Sequence, residues 1–247
     1  MTQPGPRPIA LITGAARRIG RAIALSLADG GYDIAVHYHR SEAEAAALVR
    51  EIEAKGRRSI ALAADLADAS QVAHLVPRMM EQLGPPTCLI NNASQFEHDT
   101  VASLTPQTWG RHQDINLRAP VMLAQALCLH LPQSVTGNVI NIIDQRVLKL
   151  TPDFFSYTLS KAGLWTATKT LAQALSPRVR VNAIGPGPVL RSVHQSAKHF
   201  EAEQAATLLK RGSTPGEIAA AVRFILDAPA ITGQMIVLDG GQHLAWV

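Results

Sequence analysis

The 247-residue chain is short of cysteine, of aromatic residues and of charge, and each shortage excludes something. Cys88 and Cys128 stand forty residues apart in apolar surroundings. That excludes a disulfide scaffold and the paired spacing of a zinc site, so no metal is expected; both are read as buried, reduced thiols of a cytoplasmic protein. No apolar run reaches the roughly 18 residues of a membrane span, and the opening MTQPGPRP has no apolar core of a secretory signal. Charged residues make up 17% against 47% hydrophobic, which excludes intrinsic disorder. Glycine and proline are scattered without a period, which removes collagen-like and low-complexity readings. The net charge of +4 rests on 17 Arg and 6 Lys dispersed along the chain, with pairs at Arg17-Arg18 and Arg57-Arg58 rather than stripes. With no basic helix, zinc finger or aromatic RNA-binding strand, a small molecule bearing phosphate fits this charge better than nucleic acid.

What is present is alternation. Apolar runs at 8–13, Asp33–Tyr38, Ser59–Ala63, Thr87–Asn91, Asn138–Ile143, Val179–Ile184 and Gln234–Leu238 read as seven strands. Their near-continuous hydrophobicity is that of strands covered on both faces. Between them helices are expected over 18–29, Ala43–Lys55, 69–83, Thr105–Leu131 with a break near Pro120, and Phe154–Leu175. Ser41 and Glu44 have the spacing of a capping box, and Gly56 ends that helix. The order predicts an α/β fold: a single doubly wound parallel sheet, one domain over 1–247 without linker or repeat. Residues 119–129 and 162–175 are apolar on more than one face; this suits a subunit interface, or simply an Ala-rich buried helix.

The turn Thr13-Gly14-Ala15-Ala16-Arg17-Arg18-Ile19-Gly20 follows the first strand and opens the first helix. Gly14 allows a tight turn, Gly20 a close helix approach, and the helix N-terminus offers N–H groups to a pyrophosphate. Arg18, where such turns commonly carry glycine, adds a cation. The second strand ends in His37-Tyr38-His39-Arg40-Ser41 without the carboxylate that would bind a ribose 2′-hydroxyl. His39, Arg40 and Ser41 instead suit a 2′-phosphate, which predicts NADP(H) over NAD(H). Tyr157 and Lys161, four residues apart, share one helical face; the ammonium is expected to lower the phenol pKa and make it a usable acid.

With Asp65, Asn91-Asn92-Ala93, Asn116, Pro186-Gly187 and Asp239-Gly240-Gly241, these motifs make essentially the whole chain resemble the short-chain dehydrogenase/reductase family. The resemblance implies a Rossmann fold, hydride transfer with a nicotinamide cofactor and a homotetramer built on helices 105–131 and 154–175. It places Asp65 and Leu66 at the adenine, Asn92, Ala93 and Ser94 on the ribose side, Pro186 and Gly187 at the nicotinamide, and Lys161 on its ribose. It gives Asn116 a water relay to Lys161. The family commonly has Ser thirteen residues before the Tyr; here Asp144 stands there. A carboxylate beside a developing alkoxide is repulsive, whereas reduction of a C=N bond needs a proton at nitrogen, which a carboxyl–Tyr pair can relay. Arg18, the HYHRS strand end, Ser94-Gln95-Phe96 and Asp144 together resemble the pteridine reductases and the dihydromonapterin/dihydrofolate reductases of the short-chain type. That resemblance makes Phe96 the ring that stacks on a pterin, with Arg18, Ser94, Asp144 and Tyr157 around it.

The segment 189–212 resembles the family's substrate lid, with Leu190 and Arg191 where many relatives carry Thr; His194, Lys198 and His199 are read as solvated. The expectation is an NADPH-dependent reductase of a pterin-like substrate. A carbonyl or 3-oxoacyl thioester reductase and a non-catalytic NADP(H)-binding regulator stay open.

Overall fold

The structure, a computed structural model, describes residues 7–191 and 195–246. Seven strands form one parallel sheet in the order β3-β2-β1-β4-β5-β6-β7. They are β1 (Ile9–Ile12), β2 (Asp33–Tyr38), β3 (Ser59–Ala63), β4 (Cys88–Asn91), β5 (Gly137–Ile142), β6 (Val179–Pro186) and β7 (Met235–Leu238). Side chains alternate across this sheet, and both faces of its central strands are buried, while the edge strands β3 and β7 are partly exposed. Ala10, Ile12, Cys88 and Ile90 pack with α1 (Arg18–Asp29), α2 (Glu42–Ala54) and α8 (Pro215–Asp227). Ile9, Leu11 and Leu89 pack against α3 (Ala69–Gln82), α5 (Ala119–His130) and Ala172 of α6 (Phe155–Leu175). Two covered faces explain why the strands read as solid apolar runs. The strand order reverses between β1 and β4, so a crevice opens at their carboxyl ends, where open α/β sheets hold ligands.

The expected single-domain doubly wound sheet is present, and its departures from expectation are local. The helix expected over Thr105–Leu131 is broken earlier than Pro120: α4 (Pro106–Gln113) runs into a π-helical turn, Asp114–Arg118, before α5. Pro120 falls in the first turn of α5, directly after the π-helical turn. Ser41 makes no side-chain cap; its backbone (φ −96°, ψ 57°) is not the extended conformation a cap needs, and Glu44 turns to Arg17 at 3.4 Å. Gly56 does end α2, at φ +75°. Two helices were not anticipated, α7 (Ala197–Ala205) inside the polar 189–212 segment and α8. Cys88 is buried as expected but Cys128 is half-buried, and both are free. His194 lies outside the described residues.

Capping boxes sit instead at α4, between Thr105 and Thr108, and at α8, where Thr214 Oγ1 accepts from Glu217 N at 3.2 Å and Glu217 Oε2 accepts from Thr214 N at 2.8 Å. Thr214→Ala is therefore expected to destabilise the fold by about 1 kcal/mol, and Ser41→Ala by no more than a few tenths of that size. Urea denaturation of the two variants checks the contrast.

Candidate active site

The turn after β1 and the turn after β4 are sewn together. Thr13 Oγ1 accepts from Asn92 N (2.9 Å) and Ala93 N (3.0 Å), and Asn92 Nδ2 donates to Thr13 O (2.9 Å) and Gly14 O (3.2 Å). Asn92 thus spends its side chain on the turn rather than presenting it to a ligand. Gly14 lies at φ +61°, and a Cβ on Gly20 would stand 2.4 Å from Gly14 O and 2.6 Å from Asn92 Nδ2. Only glycine lets α1 begin this close to the turn. Residues 14–20 therefore form a cradle that a side chain would fill, with the first turn of α1 above it.

Sequence reasoning missed the residue that holds this cradle from the other side. His37, buried in β2, accepts Gly14 N–H at Nδ1 (3.0 Å) and places Nε2 3.1 Å from Ala64 O. Nδ1 must accept, so the proton sits on Nε2 and the ring is neutral. Burial, more than any neighbouring charge, brings its pKa down to about 4. The signal was in the HYHRS motif, but its alternating residues were read only for the phosphate-facing end.

At the end of β2, His39 and Arg40 are exposed, and Arg40 has no ion-pair partner among the described residues. His39 Nε2 lies 3.7 Å from Asp65 Oδ2, while Asp65 Oδ1 accepts from Ala67 N at 2.9 Å. Leu66 is buried in the core; Ile19 packs on the opposite core, half-buried. Arg17 points to Glu44, away from the cradle. Arg18, at φ +56°, donates both terminal nitrogens to Leu190 O and Arg191 O, each at 3.0 Å. Its charge therefore lies between the turn and the start of the 189–212 segment. Pro186 ends β6, and Gly187 is packed so closely on Asp239 that a Cβ would come within 2.7 Å of it.

The second cluster lies at the end of β5 and the start of α6. Tyr157 Oη donates to Asp144 Oδ2 at 2.8 Å, and Asp144 Oδ1 accepts from Arg146 N at 2.8 Å. Lys161, 2% exposed, donates from Nζ to Ile142 O at 2.8 Å and stands 5.8 Å from the Tyr157 ring centre. Burial pushes the Asp144 carboxyl up and brings Lys161 down to about 8. Burial, then the Asp144 carboxylate, holds the Tyr157 phenol well above its ordinary value. The expectation that Lys161 lowers the phenol pKa is thus corrected: the ammonium is spent on a carbonyl, and burial, reinforced by the Asp144 carboxylate, dominates. Tyr157 keeps its proton at neutral pH and shares it with Asp144.

Phe96 lies in this cluster, edge-on to Tyr157 (centroids 4.7 Å apart, 78°) and stacked on Phe154 (4.4 Å, 6°). Phe154 was not anticipated as part of the site. It occupies the left-handed region (φ 56°, ψ 47°), uncommon for a bulky residue, with the Arg146 guanidinium 4.7 Å over its ring. Asn116 sits inside the π-helical turn, a feature frequent at functional sites. Its Oδ1 accepts from Gln95 N (2.8 Å) and Ser94 Oγ (3.2 Å), and its Nδ2 donates to Gln95 O (2.9 Å) and Ser160 Oγ (3.0 Å). It makes no direct bond to Lys161 in these described contacts. A groove of about 580 Å³ between α1 and α8, lined by Arg18, Arg21, Leu25, Ala219 and Arg223, contains none of the Tyr157 cluster.

A glycine cradle at a sheet's reversal point, with a phenol, a carboxyl and an amine gathered two strands away, defines a dinucleotide-type oxidoreductase architecture. Over residues 14–243 the chain matches the family model described as enoyl-(acyl carrier protein) reductase. It is 34% identical over 240 residues to the 3-oxoacyl-(acyl-carrier-protein) reductase FabG of Staphylococcus aureus strain N315, covering 95% of this chain and 98% of that protein. The solved structure of FolM alternative dihydrofolate reductase 1 from Brucella suis, in complex with NADP, superposes with a TM-score of 0.94 at 47% identity, covering 98% of this chain and 96% of that one. A blue fluorescent protein from a metagenomic library, in complex with NADPH, superposes with a TM-score of 0.89 at 34% identity over 95% of this chain and 97% of that one. The chain belongs to the short-chain dehydrogenase/reductase family.

The His37 brace makes stability depend on pH. Its folded pKa of about 4 lies below the ordinary 6.5, so the unfolded chain binds more protons between those values. The contribution is fully present above pH 6.5 and is lost as pH falls towards 4, by roughly 3 kcal/mol. Denaturation midpoints between pH 7 and 4.5 should fall steeply in the unaltered protein and less steeply in His37→Gln.

Proposed function

We propose that this chain is an NADPH-dependent reductase of a pterin-like ring C=N bond, of the dihydropterin, dihydromonapterin or dihydrofolate type. The observation that carries the reading is the 2.8 Å hydrogen bond from Tyr157 to Asp144 at the position where the family commonly has a hydroxyl. The 47% identity to an NADP-bound alternative dihydrofolate reductase supports it.

The residues fit the cofactor. The cradle of Gly14 and Gly20, with the backbone of Arg17, Arg18 and Ile19 at the start of α1, suits a pyrophosphate, and Arg40, without an ion-pair partner among the described residues, suits a 2′-phosphate together with His39 and Ser41. Asp65 and the backbone of Leu66 would take the adenine side, the backbone of Asn92 with Ala93 and Ser94 the ribose side, and Tyr157, Lys161, Pro186 and Gly187 the nicotinamide end. Bound there, the cofactor supplies hydride to the ring carbon. The protein must then deliver one proton to the ring nitrogen. Tyr157 holds that proton, because burial and Asp144 keep the phenol from ionising. Asp144, its own pKa raised by burial, can take the replacement proton from solvent and pass it to Tyr157. Asn116 holds the Ser94–Gln95 segment and Ser160, fixing the wall that carries Phe96; a flat heteroaromatic stacked on Phe96 gains roughly 0.5–1.5 kcal/mol beyond its area burial.

The second reading is a carbonyl or 3-oxoacyl thioester reductase, favoured by the identity to FabG. A third, a non-catalytic NADP(H)-binding regulator, is disfavoured by the intact Tyr157 and Lys161 geometry. NADPH oxidation with dihydrobiopterin, dihydromonapterin, dihydrofolate and an acetoacetyl thioester separates the three. Turnover of a pterin or folate is expected; turnover of the thioester alone overturns the Asp144 assignment, and binding without oxidation favours the regulator. Tyr157→Phe should lower kcat by about 10²–10⁴-fold with NADPH still bound, as followed by fluorescence titration. Arg40→Asp should weaken NADPH far more than NADH. Trp109, Leu129 and Leu159 are exposed on the 105–131 and 154–175 helices, and a homotetramer would cover them. Light scattering should give the mass of four chains rather than one.

A further inference from the structure

A buried hydrogen-bonded chain outside the residues discussed so far joins the stacking ring to the proton donor. His112 of α4, Ser156 of α6 and Asp99 of the loop after β4 are each at most 1% exposed. Glu97 N donates to His112 Nε2 at 3.2 Å, which fixes the imidazole proton on Nδ1. Nδ1 lies 2.6 Å from Ser156 Oγ and donates to it, so the Ser156 hydroxyl hydrogen is free to go to Asp99 Oδ2. One backbone N–H thus sets the direction of the whole chain.

Asp99 does more than end it. Its Oδ1 accepts from Ser156 N at 3.1 Å and its carbonyl accepts from Phe155 N at 3.2 Å. Phe154, the residue before α6, supplies no side-chain cap. A residue far away in sequence therefore caps the helix whose first turn carries Tyr157, and its carboxylate faces the positive end of the helix dipole. His112 and Asn116 are one turn apart, as are Ser156 and Ser160. Asn116 joins Gln95 to Ser160, and His112 joins Glu97 to Ser156. The two side chains form successive rungs between α6 and an extended 95–97 segment, and Phe96 lies between the two held residues. Tyr157 follows directly on Ser156, and its ring stands 5.9 Å from the His112 ring and 4.7 Å from that of Phe96.

We propose that Asp99, His112 and Ser156 are positioning residues that fix Phe96 and Tyr157 relative to one another, and so set the register of a flat substrate against its proton donor. The inference rests on the reading of Phe96 as the substrate-stacking ring. None of the three touches the reacting atoms.

The test compares the NADPH-saturated protein with His112→Phe, His112→Gln and Asp99→Asn, the last retaining size and polarity should the aromatic variant not fold. Hydrogen exchange at the Glu97 amide is read together with KM, kcat and the NADPH Kd. KM is taken with whichever substrate the panel above identifies. In His112→Phe, Glu97 exchange should quicken and KM rise, each about tenfold, with kcat changed less and the NADPH Kd unchanged. His112→Gln, which can still accept from Glu97, should restore both; Asp99→Asn should raise KM without loss of cofactor affinity. An unchanged KM, or KM, Kd and melting temperature shifting together without rescue by Gln, overturns the proposal. If the unaltered protein reduces no pterin, the substrate reading fails separately, while Glu97 exchange and KM for the substrate found still decide this one.

Discussion

The site is organised around one hydrogen bond, that from the Tyr157 phenol to the Asp144 carboxylate. Its two ends come from different elements: Asp144 follows β5, and Tyr157 lies in the first turn of α6. Each end is fixed by backbone. Arg146 N–H holds the second carboxylate oxygen, and the α6 terminus is held by Asp99. Because both groups are desolvated, the pair is best regarded as one unit that shares the phenol proton. Lys161 is near but directed to Ile142 O, so its charge lies behind the pair rather than in it.

The other end of the crevice depends on a comparable economy of backbone. Thr13, Asn92 and His37 each bond to main-chain atoms of the 13–15 or 92–93 turns, and none of these bonds needs a ligand. The cradle is therefore built before anything enters it, so little ordering remains to be done on binding. His37 can serve only as a neutral ring, because the Gly14 N–H needs an acceptor; this links the geometry of the turn to the protonation of a residue buried beneath it.

Most of the fold was readable in the residues because the strands are covered on both faces. Stretches such as CLI and VINII are buried at every position, whereas MIVL of the edge strand β7 is only half-buried. Local capping chemistry was harder: Ser41 and Glu44 have the spacing of a box yet make none, while Thr214, Pro215 and Glu217 make one that was passed over, along with Ile218, Val222 and Ile225 on one face of α8. Spacing alone does not reveal whether the cap residue is extended or whether the glutamate has a better partner, here Arg17. At the site, Asp144, Phe96, Tyr157, Lys161 and Asn116 were each picked out from sequence and lie together. Asp99, His112, Ser156 and Phe154 were not, since their roles arise only when α4, α6 and the loop after β4 meet. The direction of the Tyr157 pKa was misjudged for the same reason. Four residues along a helix bring Lys161 to the same face, but only the folded chain shows the phenol buried and hydrogen-bonded to a carboxylate.

The charge on Asp144 is what separates the two candidate reactions physically. Reducing a carbonyl builds negative charge on oxygen before the proton arrives. At about 4 Å from a carboxylate, with an effective dielectric near 20, that charge is opposed by about 4 kcal/mol, roughly a thousandfold in rate. A hydroxyl in the same place would donate a hydrogen bond and lower the barrier instead. The nitrogen of a ring C=N is more basic than a carbonyl oxygen and can take its proton before or as hydride arrives, so no comparable repulsion develops. Tyr157, kept protonated by burial and by the same carboxylate, still carries the proton that the nitrogen needs. On the proposed reading Asp144 is thus not a damaged ketoreductase position. It is a group whose charge penalises one product and whose proton affinity serves the other.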